Sequence, residues 1–386
     1  MEIKGLHLIQ EYSLGKLYEA NGFLIPVITG SNIEMGEQYG ALMVKEMQKT
    51  YDTLVQPLIN TDVLNDLSIK LWVNRAYYGG SLRTRQFYDG VVLGSGWTLS
   101  KVVILDQIME FGIYTAQLKS FAGCTSIASF GKHSKDGNMY IGRNLDWSPE
   151  FNQFPTVFTV RKPTDGSFKI GTTGWPGMYC TFTAVNDHGV YLDIHDGTSM
   201  GGSIVTLERP SILNTVIDLL SETNSLPALS SRFNGLQTSI SIIFTLADKA
   251  NAISTECSSL AGNRIRNAKK DSLVVANTFI NDDWGLRKRE TESNSLKRFS
   301  NMKERLQEQK GHVDASIIKD LMDLKLFNKD NSFKENGGST KPMLQDTDIT
   351  NYQTVFDIDG QKVWLKIPVP GYYADWTELD LKELFA

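Results

Sequence analysis

The sequence predicts an α+β protein in which two sheets lie between layers of helix. Three observations carry that reading. The first third of the 386-residue chain has helical spacing of its apolar residues. From Cys124 onward the texture changes to short runs of alternating polarity, which read as antiparallel strands. A second helical block near the end precedes a final hairpin. Strands and helices are therefore grouped, not strictly alternating, which favours sandwiched sheets over a parallel doubly wound one.

In chain order, Met35 to Leu58 places Met35, Leu42, Met43, Met47 and Leu54 near helical spacing, and Val102 to Phe121 is a more apolar second helix. The glycines and aromatics of this region suggest packing against something larger. Strands follow at Thr125 to Phe130, Met139 to Arg143, Thr156 to Arg161, Phe168 to Thr172 and Cys180 to Val185. Asn186-Asp187-His188-Gly189 then supplies residues that tolerate positive φ, as a hairpin into Val190 to His195 requires. Helices are expected at Arg209 to Ser221 and Leu226 to Phe233, strands at Ser239 to Leu246, Ala252 to Cys257 and Ser272 to Ala276. Ser293 to Gln309 and Asp314 to Phe327 form the second helical block. The closing hairpin, Thr354 to Pro368, turns at Asp357 to Gly360, after a polar surface loop over Asn328 to Ile349.

Composition excludes several functions. Lys plus Arg number 39 against 44 Asp plus Glu, so nothing draws the chain to nucleic acid. No run approaches the ~18 apolar residues of a membrane span. The opening residues mix Glu2, Lys4, His7, Glu11 and Lys16 into their apolar content, so no secretory signal is visible. A cytoplasmic location is expected on that ground, with a trimmed exported protein as the alternative. Cys124, Cys180 and Cys257 form no C-x-x-C pair or disulfide framework, and the five histidines show no zinc-ligand spacing. No metal and no cofactor are expected.

The chemistry concentrates in Gly123-Cys124-Thr125-Ser126-Ile127-Ala128 and Gly142-Arg143-Asn144-Leu145-Asp146-Trp147. Cysteine at the head of a strand, with Arg-x-x-Asp soon after, supplies a nucleophile, a cation and an orienting carboxylate. A guanidinium near the thiol favours the thiolate and is expected to draw its pKa toward neutrality. Asp146 would hold an amine or thiol proton. An α-amino group, with a pKa near ~7.7–8.0, is a fit general base, and Cys124 has one only if the Gly123–Cys124 bond is cut. Cys180 and Cys257 lack such neighbours and read as core residues. A boundary there divides the chain into an N-terminal helical segment, residues 1–123, serving as propeptide or α-subunit, and a core, 124–386, serving as β-subunit.

These motifs resemble the cysteine N-terminal-nucleophile hydrolases of linear amides, a group that includes choloylglycine hydrolase, penicillin V acylase, isopenicillin N acyltransferase, acid ceramidase and N-acylethanolamine acid amidase. CTSIAS at 124–129 and GRNLDW at 142–147 carry the likeness, with GWPGMYCTFTAVNDHGVYL at 174–192 nearer the acyltransferase branch. The first 123 residues match loosely, through Gly30 to Gly40. The resemblance implies a four-layer αββα sandwich, Cys124 as nucleophile and base, Arg143 beside the thiol and Asp146 on the amine. It also implies an oxyanion-hole asparagine, Asn277 in VVANTF, with Ala276 where a threonine is expected. Arg298 in SLKRF and Arg289 compete for a second site arginine, and Arg298 is preferred. Asn186 matches a recurrent turn asparagine, and His195 or Asp196 falls where some relatives contact substrate. The implied partner is a small N-acyl amide, lipid-like on the leaning of the sequence, and the two fragments are expected to stay together after the cut. Acyl transfer and a non-processing binding protein are the alternatives.

Overall fold

A computed structural model describes the chain except residues 1–4, 116–122, 203, 292–293, 329, 331, 340–349 and 370–371. It opens with strands β1 (His7–Tyr12), β2 (Gly15–Ala20) and β3 (Phe23–Gly30). Helices α1 (Asn32–Leu54), α2 (Gln56–Asn60), α3 (Asp66–Val73), α4 (Leu82–Ser95) and α5 (Leu99–Thr115) follow, with a π-helical turn at Asn74–Tyr78. Next come β4 (Gly123–Ser129), β5 (Tyr140–Asp146), β6 (Val157–Pro163), β7 (Ile170–Gly174), β8 (Thr183–Asn186) and β9 (Tyr191–Asp196). Helices α6 (Thr198–Gly201), α7 (Ile212–Glu222) and α8 (Leu226–Phe233) lead to β10 (Ile242–Ala247), β11 (Ala252–Ser258), β12 (Gly262–Asn267) and β13 (Ser272–Val275). Then come α9 (Ser295–Glu308), α10 (Ala315–Asp323), β14 (Thr350–Asp357), β15 (Lys362–Lys366), β16 (Pro368–Val369), β17 (Tyr372–Tyr373), β18 (Thr377–Asp380) and α11 (Leu381–Phe385).

Two large sheets result. One runs β1-β2-β3-β6-β7-β8-β9-β10-β11-β12, the other β13-β4-β5-β14-β15-β18. Helices α9 and α10 cover the outer face of the six-stranded sheet, where Ile127, Val274 and Val355 meet Met302, Ile318 and Met322. On the outer face of the ten-stranded sheet lie α1, α7 and α8, and α4 and α5 pack against α1. The two sheets face each other across a continuous core, with Tyr191 of β9 edge-on to Phe356 of β14 at 5.1 Å. This is the α+β, αββα sandwich the sequence predicts.

The N-terminal segment is not purely helical. Residues 7–30 form β1–β3, and β3 joins the large sheet through a parallel pairing with β6. Asn21-Gly22, with φ of 48° and 88°, closes the β2–β3 hairpin. This pair is the strongest short hairpin signal a sequence offers, because both residues accept positive φ. The segment's boundary with the rest of the chain therefore runs through one shared sheet. The expected helix Val102 to Phe121 is described as far as Thr115, and the start of the Ser293 helix and most of the Asn328–Ile349 loop lie outside the described residues. No helix among the described residues is long and apolar enough to cross a membrane.

Candidate active site

Strand alternation aims the site. On β4, Ile127 points to the α9–α10 layer, so Cys124 and Ser126 point to the ten-stranded sheet. The β4–β5 register sets Gly123 opposite Asp146 and Ser126 opposite Arg143, which brings Arg143 to the same inner face. Arg143 Nη2 lies 3.7 Å from Cys124 Sγ and donates to the Ile194 carbonyl at 2.6 Å. In the continuous chain the Cys124 N–H is an amide, and it donates to Asn277 Oδ1 at 2.7 Å.

Arg298, in the first turn of α9, reaches through the sheet edge. Its Nη1 donates to the Cys124 carbonyl at 2.5 Å and to Thr125 Oγ1 at 2.6 Å, and its Nη2 to Asn277 Oδ1 at 2.8 Å. Two donors on Oδ1 fix the orientation of the Asn277 amide. Its Nδ2 therefore donates on the other side, to the Asp196 carbonyl at 3.0 Å. Asp146, fully buried at the end of β5, accepts from Thr350 Oγ1 at 2.6 Å. The structure thus brings Gly123, Cys124, Arg143, Asp146, Asn277 and Arg298 together. Arg289 lies elsewhere, exposed and donating to the Ser199 carbonyl at 2.7 Å.

Asn186 has other partners, whereas His195 lies against the site, in a hydrogen bond with the Cys124 backbone and beside Asp193. Asn186 ties the β8–β9 turn to α7, donating to the carbonyls of Leu220 and Thr223 and accepting from His188 and Val190. None of its hydrogen bonds reaches the Cys124 cluster. His195 is fully buried, its Nε2 2.8 Å from Asp193 Oδ1 and 3.1 Å from Thr245 Oγ1.

Asp193 is the residue that sequence reading missed. Its carboxylate meets Arg143 Nη1 at 3.2 Å and His195 at 2.8 Å, and accepts from Ser126 Oγ at 2.5 Å and Tyr191 Oη at 2.8 Å. It joins the two sheets behind the nucleophile. The signal available was an acidic residue at an inward position of a central strand, which demands a buried cation.

Electrostatics follow from burial. Burial pushes the Cys124 thiol up to about 11, against the pull of Arg143 and with a further push from Asp146. The expectation of a near-neutral thiol is therefore not met in the uncut chain, because at 2% exposure desolvation outweighs the guanidinium. Burial also opposes the charge of Arg143, yet the Asp193 carboxylate together with Cys124, Tyr352 and Tyr191 outweighs it and holds its pKa above the usual arginine value. His195 is left below the ordinary histidine value by burial, which Asp193 opposes.

A narrow apolar cavity adjoins the thiol. Met109 and Ile113 of α5, Leu145, Trp147, Phe182 and Ile242 line it together with Cys124. Among the described residues, no cluster of three or more His, Cys, Asp or Glu side chains is placed to hold a metal ion.

Comparisons with known proteins bear on this arrangement. Similar solved structures include a Caenorhabditis elegans ortholog of N-acylethanolamine-hydrolyzing acid amidase, with 15% identity over 61% of this chain and 93% of that one at a TM-score of 0.43. A conjugated bile acid hydrolase mutant from Clostridium perfringens is 12% identical over 68% and 94%, with a TM-score of 0.44. Penicillin V acylase from Agrobacterium tumefaciens is 13% identical over 68% and 87%, with a TM-score of 0.43. No curated protein matches the sequence. A sequence model of the acyl-coenzyme A:6-aminopenicillanic acid acyl-transferase family matches residues 133–362, more than half of the chain, a span that begins after Cys124 and includes Arg143, Asp146, Asn277 and Arg298. The chain belongs to that family.

Proposed function

We propose that the chain is a self-processing cysteine amidohydrolase that cleaves linear amides of N-acyl substrates. The observation that carries this reading is the convergence on one buried strand end of Cys124 Sγ, the Arg143 guanidinium at 3.7 Å and the scissile Gly123 opposite Asp146. Sγ attacks the Gly123 carbonyl carbon, and the C–N bond to Cys124 breaks as the thiol proton passes to the departing nitrogen. Water then hydrolyses the thioester, leaving a Gly123 carboxylate and a free Cys124 amine. That amine inherits the Asn277 Oδ1 acceptor now 2.7 Å from the amide nitrogen.

In turnover the amine takes the thiol proton as Sγ attacks the substrate carbonyl, and returns it to the leaving amine. Asn277 Nδ2, aimed at the cavity wall beside Asp196, is the donor suited to the developing oxyanion. The apolar lining favours a hydrocarbon-rich acyl group. A second reading, acyl transfer to an amine in place of water, is favoured by the family match; added amines would appear in its products.

Intact mass and amino-terminal sequencing, from mildly acidic to neutral pH, test the first step. Wild-type protein is expected to yield fragments meeting at Gly123 and Cys124, and Cys124→Ala to stay whole. A wild-type chain that remains uncut at every pH removes the proposed base and with it the reading.

A further inference from the structure

Arg161 sits on β6, on the face covered by helices, with 5% of its surface exposed. It lies between two rings, its guanidinium carbon 4.5 Å from the Tyr179 centroid and 5.3 Å from that of Phe87. Its Nη2 donates to the Tyr179 carbonyl at 3.2 Å. Among the described residues, Nε and Nη1 have no protein partner and Arg161 makes no ion pair. The carboxylate whose charge reaches it, Asp106, is engaged by Tyr88, Gln107, Asn214 and the Cys180 N–H.

A guanidinium does not shed its proton in proteins, so its charge persists inside the fold. Ring faces and one carbonyl offset only part of the lost hydration. Beside Arg161 is a small cavity lined by Asn32 of the first turn of α1, Phe87, Ser167, Phe168, Tyr179 and Ile217. Its volume is about 10 Å³. That leaves room for about one water or small ion, not for a bulky organic anion. Arg83, at the same cavity, already holds Glu222 at 2.6 Å and Asp165 at 3.7 Å.

We propose that this cavity is a binding site for one monatomic anion of halide size, chloride in ordinary solution, held by the unpartnered N–H groups of Arg161. The anion neutralises the buried guanidinium and so locks the Trp175–Cys180 segment, which Arg161 grips through the Tyr179 carbonyl. The proposal is independent of the reaction at Cys124.

The test compares thermal unfolding of the wild type and Arg161→Met in sodium chloride, bromide and gluconate at equal ionic strength, with bromide-soaked wild-type crystals. For a bound halide, the wild-type Tm climbs by a constant increment per tenfold rise in halide above its Kd, with no such climb in gluconate or in Arg161→Met. The crystals are expected to show an anomalous bromide peak within hydrogen-bond reach of Nε or Nη1. Equal Tm values in halide and gluconate overturn the proposal even with a peak present, since that is binding at crystal concentration only. Water in the cavity without a bromide peak overturns it as well. If Arg161→Met does not fold, the wild-type salt series and bromide map still decide.

Discussion

Cys124 carries a thiol that burial holds in its neutral form, up to about 11, and Cys180 and Cys257 are buried as well. Alkylation needs an exposed thiolate. The uncut chain is therefore expected to resist iodoacetamide at all three cysteines, and Cys124 alone to become reactive after the cut, as the amine beside it takes up the proton. Peptide mapping of wild-type protein labelled before and after processing checks this; rapid labelling of Cys124 before cleavage would contradict it. His195 gives a pH signature. Burial, opposed by Asp193, leaves its folded pKa low, so below about pH 6.5 the unfolded chain binds a proton the folded chain does not. Stability then falls as pH drops from about 6.5 toward the folded pKa. Urea unfolding of His195→Gln is expected to lack that part of the slope, and an identical slope would place the loss elsewhere. Cys124, Arg143 and Asp146 were legible in sequence because their spacing is local. Asp193 was not, because its partners Arg143 and Ser126 are brought to it by the facing sheet.

At the scale of elements, α1 and α4 cross through glycines. A Cβ on Gly36 would meet the Phe87 carbonyl oxygen at 2.2 Å, and one on Gly90 the Ile33 carbonyl oxygen at 2.1 Å. Ala is worth about 0.8–1.0 kcal/mol over Gly in a helix interior, but backbone cannot yield as a side-chain tip can. Overpacking of about 1–3 kcal/mol is the larger effect. Gly36→Ala and Gly90→Ala are expected to lower stability in urea unfolding, while Gly235→Ala, with nothing within 4 Å, leaves it nearly unchanged. The sequence marked α1 and its glycines but not α4, whose apolar residues follow no clear stripe. It also carried Asn21-Gly22 in plain view. What hid β1 was that all six of its residues are exposed, so no buried face imposes a period.

At the scale of the molecule, the candidate cut falls between parts that share one sheet. Residues 1–123 contribute β1–β3, and β3 pairs with β6 from Leu24 opposite Val157 to Gly30 opposite Pro163. Helix α5 is buried from Val102 to Gly112. Its polar face is tied to the other side of the cut: Glu110 accepts from Ser211 Oγ at 2.6 Å, while Asp106 accepts from Asn214 Nδ2 and from the Cys180 N–H, both at 2.8 Å. Breaking the Gly123–Cys124 bond removes none of these contacts. Releasing residues 1–123 would instead expose the β6 edge and leave the Ser211, Asn214 and Cys180 groups that Asp106 and Glu110 accept from without their partners, a change the lone severed peptide does not drive. The segment is therefore expected to persist as a subunit. Processed protein carrying an N-terminal affinity tag should retain the 124–386 fragment on a native column and lose it in strong urea, and residues 124–386 expressed alone should fail to fold. A native column that keeps only residues 1–123 would make the segment a discarded propeptide and the shared sheet a feature of the precursor alone.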